Sequence, residues 1–176
     1  MTDSQITLTK KVSKLTRESA TRKLSTVNVV LDYNKFNLYF VLSVMIIMLS
    51  SLDSLFGLKE SFSDLHKWFQ RCVLIGVSRT RPPRIARDGL PEEGPYCFRR
   101  HEGGLEGMGQ KIWTLFAQLL IRFSMVLCGL RGSIIGQGDN QVIVLRLTKD
   151  QSLRSKAVVQ NFLRVLRHES AKKNNF

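Results

Sequence analysis

Apolar positions along this chain change their period several times, and each change predicts an element. Residues 2–23 are polar and basic, with Ile6, Val12 and Leu15 at loose helical spacing and Thr2, Asp3 or Ser4 placed to cap. This predicts a short amphipathic helix. Residues 26–31, Thr-Val-Asn-Val-Val-Leu, are rich in β-branched side chains and predict a strand that delivers Asp32 at its end.

Residues 36–52 form a run of 17 without a formal charge, bracketed by Lys35 and Asp53. Two readings compete for it. A membrane span is favoured by the hydropathy and by the basic residues before it. A buried core helix, passing Asp53 and stopping at Gly57, is favoured by Asn37, the serines and Asp53 itself, and is the preferred reading.

Residues 59–77 predict a helix with Phe62, Leu65, Trp68, Phe69 and Cys72 on its apolar face. Residues 79–95 then hold four arginines and all four prolines, which predicts a basic loop or an irregular hairpin. Residues 112–130 predict a long apolar helix, and residues 133–147 two strands around a turn. A basic amphipathic helix over 149–173 follows, with Leu153, Ala157, Phe162 and Val165 or Leu166 inward. Strands and helices in this order give an α+β fold, a small antiparallel sheet with packed helices, as a single domain over 1–176.

Composition narrows the function. Hydrophobic residues make up 43% of the 176, enough for a packed core. Lys and Arg number 27 against 14 acids, a net charge of +13 that favours a polyanionic partner. Three scattered cysteines suit a reducing compartment, and the polar N-terminus carries no secretory signal, so an intracellular protein of cytoplasm or nucleus is expected. The histidines and cysteines lack zinc-ligand spacing, and no nucleophile elbow is present.

The candidate chemistry lies in the acids. Gly138-Asp139-Asn140-Gln141 joins two β-branched strands, and read alone it is an ordinary hairpin tip. Asp32 also stands where a strand gives way to a turn. If the two strands are neighbours, the carboxylates lie side by side and a divalent cation relieves their repulsion. A third element, His101-Glu-Gly-Gly-Leu-Glu-Gly-Met-Gly-Gln-Lys111, places four glycines ahead of the long apolar helix. Such a loop can bring backbone amides to a sugar-phosphate chain, although a flexible helix entry is its commoner meaning.

Together these residues resemble the large polymerase protein of the non-segmented negative-strand RNA viruses, the Mononegavirales. Residues 101–130, with Glu-Gly-Gly-Leu-Glu-Gly and Gln-Lys, are similar to motif B, and 133–147, with Gly-Asp-Asn-Gln, to motif C. Residues 26–37, with Asp32-Tyr-Asn-Lys-Phe-Asn37, resemble motif A, Phe36 replacing the usual tryptophan. The order and the B-to-C interval are similar to the family's, and the bornavirus polymerases look nearest. The short frame, from Met1 to a polar tail, reads as complete, as a viral sequence captured in a host genome would be.

The resemblance implies part of the palm of a right-hand RNA-directed RNA polymerase. Asp32 and Asp139 would be catalytic and would hold Mg2+ or Mn2+. Gly103, Gly104, Glu106 and Gln110 would contact template or nucleotide, Asn37 would lie near the ribose, and Asn140 and Gln141 would shape the turn and help place the metal or growing end. Lys35 and Lys111 would touch phosphates, or simply be solvated. Arg79, Arg81, Arg84, Arg87, Arg99 and Arg100 are an RNA track or a solvated basic loop, the two readings being even. Trp68 and Trp113 are expected in the core. Implied partners are RNA template and NTPs, with viral phosphoprotein or polymerase as further candidates. Two rivals stand beside the enzyme: a non-enzymatic RNA-binding or polymerase-interfering remnant, and a single-span membrane protein.

Overall fold

The computed structural model describes residues 5–21, 25–33, 42–76, 83–99 and 109–172. The chain divides into two compact units, one of residues 1–36 with 110–176 and the other of residues 37–109.

The first unit holds α1 (Gln5–Thr21), β1 (Ser25–Asp32) and, after the second unit, the elements that close the sheet. The second holds α2 (Leu42–Leu55), α3 (Ser61–Arg71), β2 (Leu74–Ile75) and β3 (Cys97–Phe98). The chain then returns to the first unit with α4 (Gln110–Leu127), β4 (Arg131–Gln137), β5 (Asn140–Leu147), α5 (Lys149–Leu153) and α6 (Ser155–Lys172). The architecture is α+β with antiparallel sheets.

The larger sheet has the order β1-β5-β4, antiparallel throughout. Opposed residues share a face, so Val27, Val29 and Leu31 lie on the same side as Leu145, Ile143 and Gln141 of β5. That side is the core. Ile143 and Leu145 are fully buried there beneath Ile121 and Met125 of α4 and Phe162 and Leu166 of α6. Complete burial of an aliphatic side chain of this size contributes about 1.5–3 kcal/mol. Glycine lets the layers close: a Cβ on Gly132 would lie 2.5 Å from the Val144 carbonyl oxygen and 3.0 Å from Met125 Cε. Asp32 falls on the opposite side of the sheet with Val30, which is 69% exposed. α1 also packs against all three strands.

The basic tail departs from its predicted face. A capping box at Thr148 and Gln151 starts α5, but Arg154 leaves helical geometry and separates α5 from α6. Phe162 and Leu166 are buried as expected. Leu153 ends the short first helix at 83% exposure, and Ala157 is exposed.

In the second unit, α2 and α3 pack on one another around Met45, Leu49 and Phe69. Asp53 organises the pair. Its carboxylate accepts from the Phe62 amide at 2.8 Å, the Ser63 amide at 3.1 Å and the Ser63 hydroxyl at 2.9 Å. It therefore caps α3 from another helix, satisfying amide groups that every helix start leaves unpaired. On the inward face of α3, Ser63, His66 and Phe69 are buried, whereas Trp68 is 52% exposed and not in the core. α3 also ends earlier than predicted. Cys72 turns extended, and Leu74 and Ile75 pair with Phe98 and Cys97, a distant partner that the local periodicity does not reveal.

α2 continues past Asp53 and closes in a turn at Gly57, with φ of +66°. Among the described residues no helix is long and apolar enough to cross a membrane. The 14 residues of α2 span about 21 Å, against about 30 Å of hydrocarbon. Residues 36–41 of the apolar run lie outside the described residues.

Two measurements test this packing. Phe162→Ala should cost about 3–5 kcal/mol in urea unfolding, and Leu153→Ala less than about 0.5 kcal/mol; equal losses would restore the single-helix reading of the tail. For Asp53, burial pushes the carboxyl up, but the hydrogen bonds from Phe62 and Ser63 outweigh it and hold the group below its ordinary value. A depressed folded pKa stabilises above the unfolded value and loses that effect as pH falls through the folded one. Asp53→Asn should therefore lower the urea midpoint near pH 7, and the gap from the parent should close below about pH 4. A gap that persists in acid would contradict the charged cap.

Candidate functional site

The site is built on the β4–β5 hairpin. Gln137 pairs with Asn140, which leaves Gly138 and Asp139 as a two-residue turn. Gly138 has φ of +59°, the left-handed geometry that primed hairpin turns require at their first position. Asp139 is thereby held at the very tip, half-buried, and the Asn140 side-chain amide donates to its Oδ1 at 2.9 Å.

β1 brings the second acid. Asp32 pairs with Asn140, one residue from Asp139, and the Tyr33 amide donates to the Asp139 carbonyl at 3.2 Å. Cα atoms of directly opposed antiparallel residues lie about 4.5–5.5 Å apart, so both acids occupy one end of one sheet. Asp32 and Asn140 are exposed. Burial pushes the Tyr33 phenol up to about 12, so it stays protonated at neutral pH.

The turn is braced from α4. The Thr114 hydroxyl accepts from the Gly138 amide at 3.0 Å and donates to the Gln110 carbonyl at 2.8 Å. The Gln110 side chain lies against the same turn, where a Cβ on Gly138 would stand 2.5 Å from its Nε2. Gln141 has no exposed surface. Its Nε2 donates to the Gly138 carbonyl at 2.9 Å, and its Oε1 accepts from Gln118 Nε2 at 3.5 Å. A Cβ on Gly136 would collide with that amide, so glycine is what admits it. Of the expected roles of Gln141, shaping the turn is the one its contacts match: the side chain is sealed between sheet and helix and holds the Gly138 carbonyl.

The donor set suits magnesium in kind, since carboxylate oxygens are the hard ligands it takes. Among the described residues no group of three His, Cys, Asp or Glu gathers to hold a metal. Two carboxylates, with water and substrate phosphates completing the shell, are the pattern expected for this ion.

Other expected residues fall variously. Lys111 is exposed at the start of α4, and Arg84 and Arg87 lie in the second unit, both exposed. Arg99 is engaged there by Asp88 at 3.4 Å. Lys35, Asn37, Arg79, Arg81, Arg100, Gly103, Gly104 and Glu106 lie outside the described residues. Thr114 and Gln118 are not among the residues expected from the sequence. Their signal is nonetheless present: Gln110, Thr114 and Gln118 recur every four residues, a polar stripe on an otherwise apolar helix.

Comparison with known proteins bears on what this hairpin belongs to. Residues 1–170 match the model of the Mononegavirales RNA dependent RNA polymerase family. The chain is 32% identical over 142 residues to the large structural protein of rabies virus (strain ERA), covering 78% of this chain and 7% of that protein. It is 37% identical over 117 residues to the large structural protein of Mokola virus, covering 64% of this chain and 6% of that protein. The same identity and coverage relate it to the RNA-directed RNA polymerase L of European bat lyssavirus 1. The chain therefore spans less than a tenth of the length of these relatives. The bornavirus affinity expected from the sequence is finer than the family match. With its acid-tipped hairpin inside the matched residues, this chain belongs to the Mononegavirales RNA-dependent RNA polymerase family.

Proposed function

We propose that this chain is the part of a polymerase palm that carries motifs A, B and C, and that its sheet end is the site of nucleotidyl transfer. The reaction joins the 3′-hydroxyl of an RNA strand to the α-phosphate of an NTP and releases pyrophosphate. The observation that carries the reading is the register of β1 on β5, which sets Asp32 beside the turn bearing Asp139. Family membership supplies the reaction class.

Each described residue has a part. Asp32 and Asp139 present carboxylates that would hold Mg2+ or Mn2+. A divalent ion bound there would lower the pKa of the attacking hydroxyl and neutralise the triphosphate. Asn140 orients the Asp139 carboxylate through its 2.9 Å hydrogen bond. Val30 and Asp32 lie on the side of the sheet away from the α4–α6 core, and both are exposed. Lys111, Arg84 and Arg87 are cations suited to phosphate. The template and nucleotide contacts assigned to Asn37, Gly103, Gly104 and Glu106 belong to the same reading, carried by sequence alone.

Tested by itself, the 176-residue chain should bind RNA without extending it. Its charge of +13 attracts phosphate whatever the sequence. Catalysis further requires NTP, template and primer held in attack geometry, and that orientation accounts for about 7–11 kcal/mol of a typical barrier. RNA affinity should fall linearly with the logarithm of salt concentration. Arg84→Ala and Arg87→Ala should each reduce the slope by about one, and Arg99→Ala less, because Asp88 already offsets its charge. Asp32→Ala and Asp139→Ala should not weaken binding, since each removes negative charge. Affinity indifferent to salt would contradict the basic surface. Primer extension with Mg2+ or Mn2+ that disappears in Asp139→Ala would show the short chain to be an active enzyme.

A further inference from the structure

Thr114 lies in the first turns of α4, and its hydroxyl makes two hydrogen bonds with different consequences. By donating to the Gln110 carbonyl at 2.8 Å it fixes its own rotamer. Its lone pair is then aimed at the hairpin, where it accepts the Gly138 amide at 3.0 Å. Gly138 is the residue immediately before Asp139 and the one whose left-handed φ creates the turn. No neighbouring strand serves that amide, because it lies in the turn beyond the last ladder pair, Gln137 with Asn140. The next polar residue of the same helix face, Gln118, meets Gln141, whose amide holds the Gly138 carbonyl. Helix α4 thus engages both the N–H and, through Gln141, the C=O of one residue.

We propose that Thr114 is a positioning residue for the metal-binding acids, its hydroxyl locking the Gly138 peptide and with it the direction of the Asp139 carboxylate. The proposal rests on the two-acid reading of the site. It assigns to Thr114 a hydrogen bond that a purely packing role would not need: valine has the same shape but cannot accept the amide. Loss of the hydroxyl leaves a half-buried N–H without its acceptor, and the turn is free to change its ψ and re-aim Asp139. Residues that orient a metal ligand typically contribute 10- to 100-fold in metal affinity. Thr114 stands at the lower end of that range, because Gln141 still holds the other side of the peptide.

The experiment measures Mn2+ affinity of the full chain by the paramagnetic resonance of free Mn2+, with hydrogen exchange at the Gly138 amide followed by NMR. Parent, Thr114→Val, Thr114→Ser and Asp139→Ala are compared, each with its unfolding midpoint. The expected result is strong loss of binding in Asp139→Ala, about tenfold weaker binding in Thr114→Val, and near-parental binding in Thr114→Ser. The Gly138 amide should be protected in parent and Thr114→Ser and exchange rapidly in Thr114→Val. Binding that requires Asp139 but is unchanged in Thr114→Val overturns the proposal alone. Equal loss in Thr114→Val and Thr114→Ser overturns it as well, because the hydroxyl would then not be the active group. Mn2+ binding that ignores Asp139→Ala overturns the two-acid reading and the proposal with it. A Thr114→Val chain too unstable to assay leaves the Gly138 exchange of the parent and Thr114→Ser to decide: protection in both supports the proposal, and rapid exchange in either overturns it.

Discussion

Pairing of β1 with β5 is a matter of single residues. With Asp32 opposite Asn140, the apolar members of β1, Val27, Val29 and Leu31, face α4 and α6, and Asp32 stands exposed on the other side. A slip of one residue would reverse every side chain of the strand, exposing Val29 and turning Asp32 toward the core side of the sheet. Burial of the core therefore enforces the register, and the register places the acid. The apolar half of β1 and its one chemical residue are not separate features: the first is what makes the second reliable.

The hairpin adds a second constraint. A two-residue turn is short enough to hold its tip rigidly, but its backbone groups lack ladder partners and must be satisfied from elsewhere. Here Thr114 of α4 meets the Gly138 amide, Gln141 of β5, steadied by Gln118, meets the Gly138 carbonyl, and the Tyr33 amide meets the Asp139 carbonyl. Gly132 and Gly136 matter for the same reason, since both clear space where helix or buried amide meets the sheet. In the second unit the same principle operates with a charge, as Asp53 of α2 supplies the cap that α3 lacks in its own sequence.

Much of this fold is legible in the amino-acid sequence. The β-branched runs mark β1, β4 and β5, the Gly-Asp pair marks the turn, and the uncharged stretch ending at Leu52, with the stop at Gly57, marks the helix α2. Sequence patterns mislead where a distant partner decides. The helix over 59–77 ends at Arg71 because Leu74 and Ile75 have Cys97 and Phe98 to pair with. Its inward face takes in Ser63 and His66 beside Phe69 and leaves Trp68 outside. The tail helix breaks at Arg154, where no proline or glycine announces it. At the site itself the acids are visible as strand-end residues, whereas the burial of Gln141 cannot be read from a turn motif. Thr114 and Gln118 are inconspicuous because a polar stripe on an apolar helix gains meaning only once its target is known.

In the proposed site, one sheet end brings Asp32 and Asp139 to a common divalent ion. Crystals of the chain grown with Mn2+ would test it through anomalous scattering at the manganese edge. The expected result is an anomalous peak ligated by carboxylate oxygens of both Asp32 and Asp139, lying on the side of the sheet away from α4 and α6. A fully occupied manganese bound elsewhere, with the two carboxylates directed to opposite sides of the sheet, would contradict it.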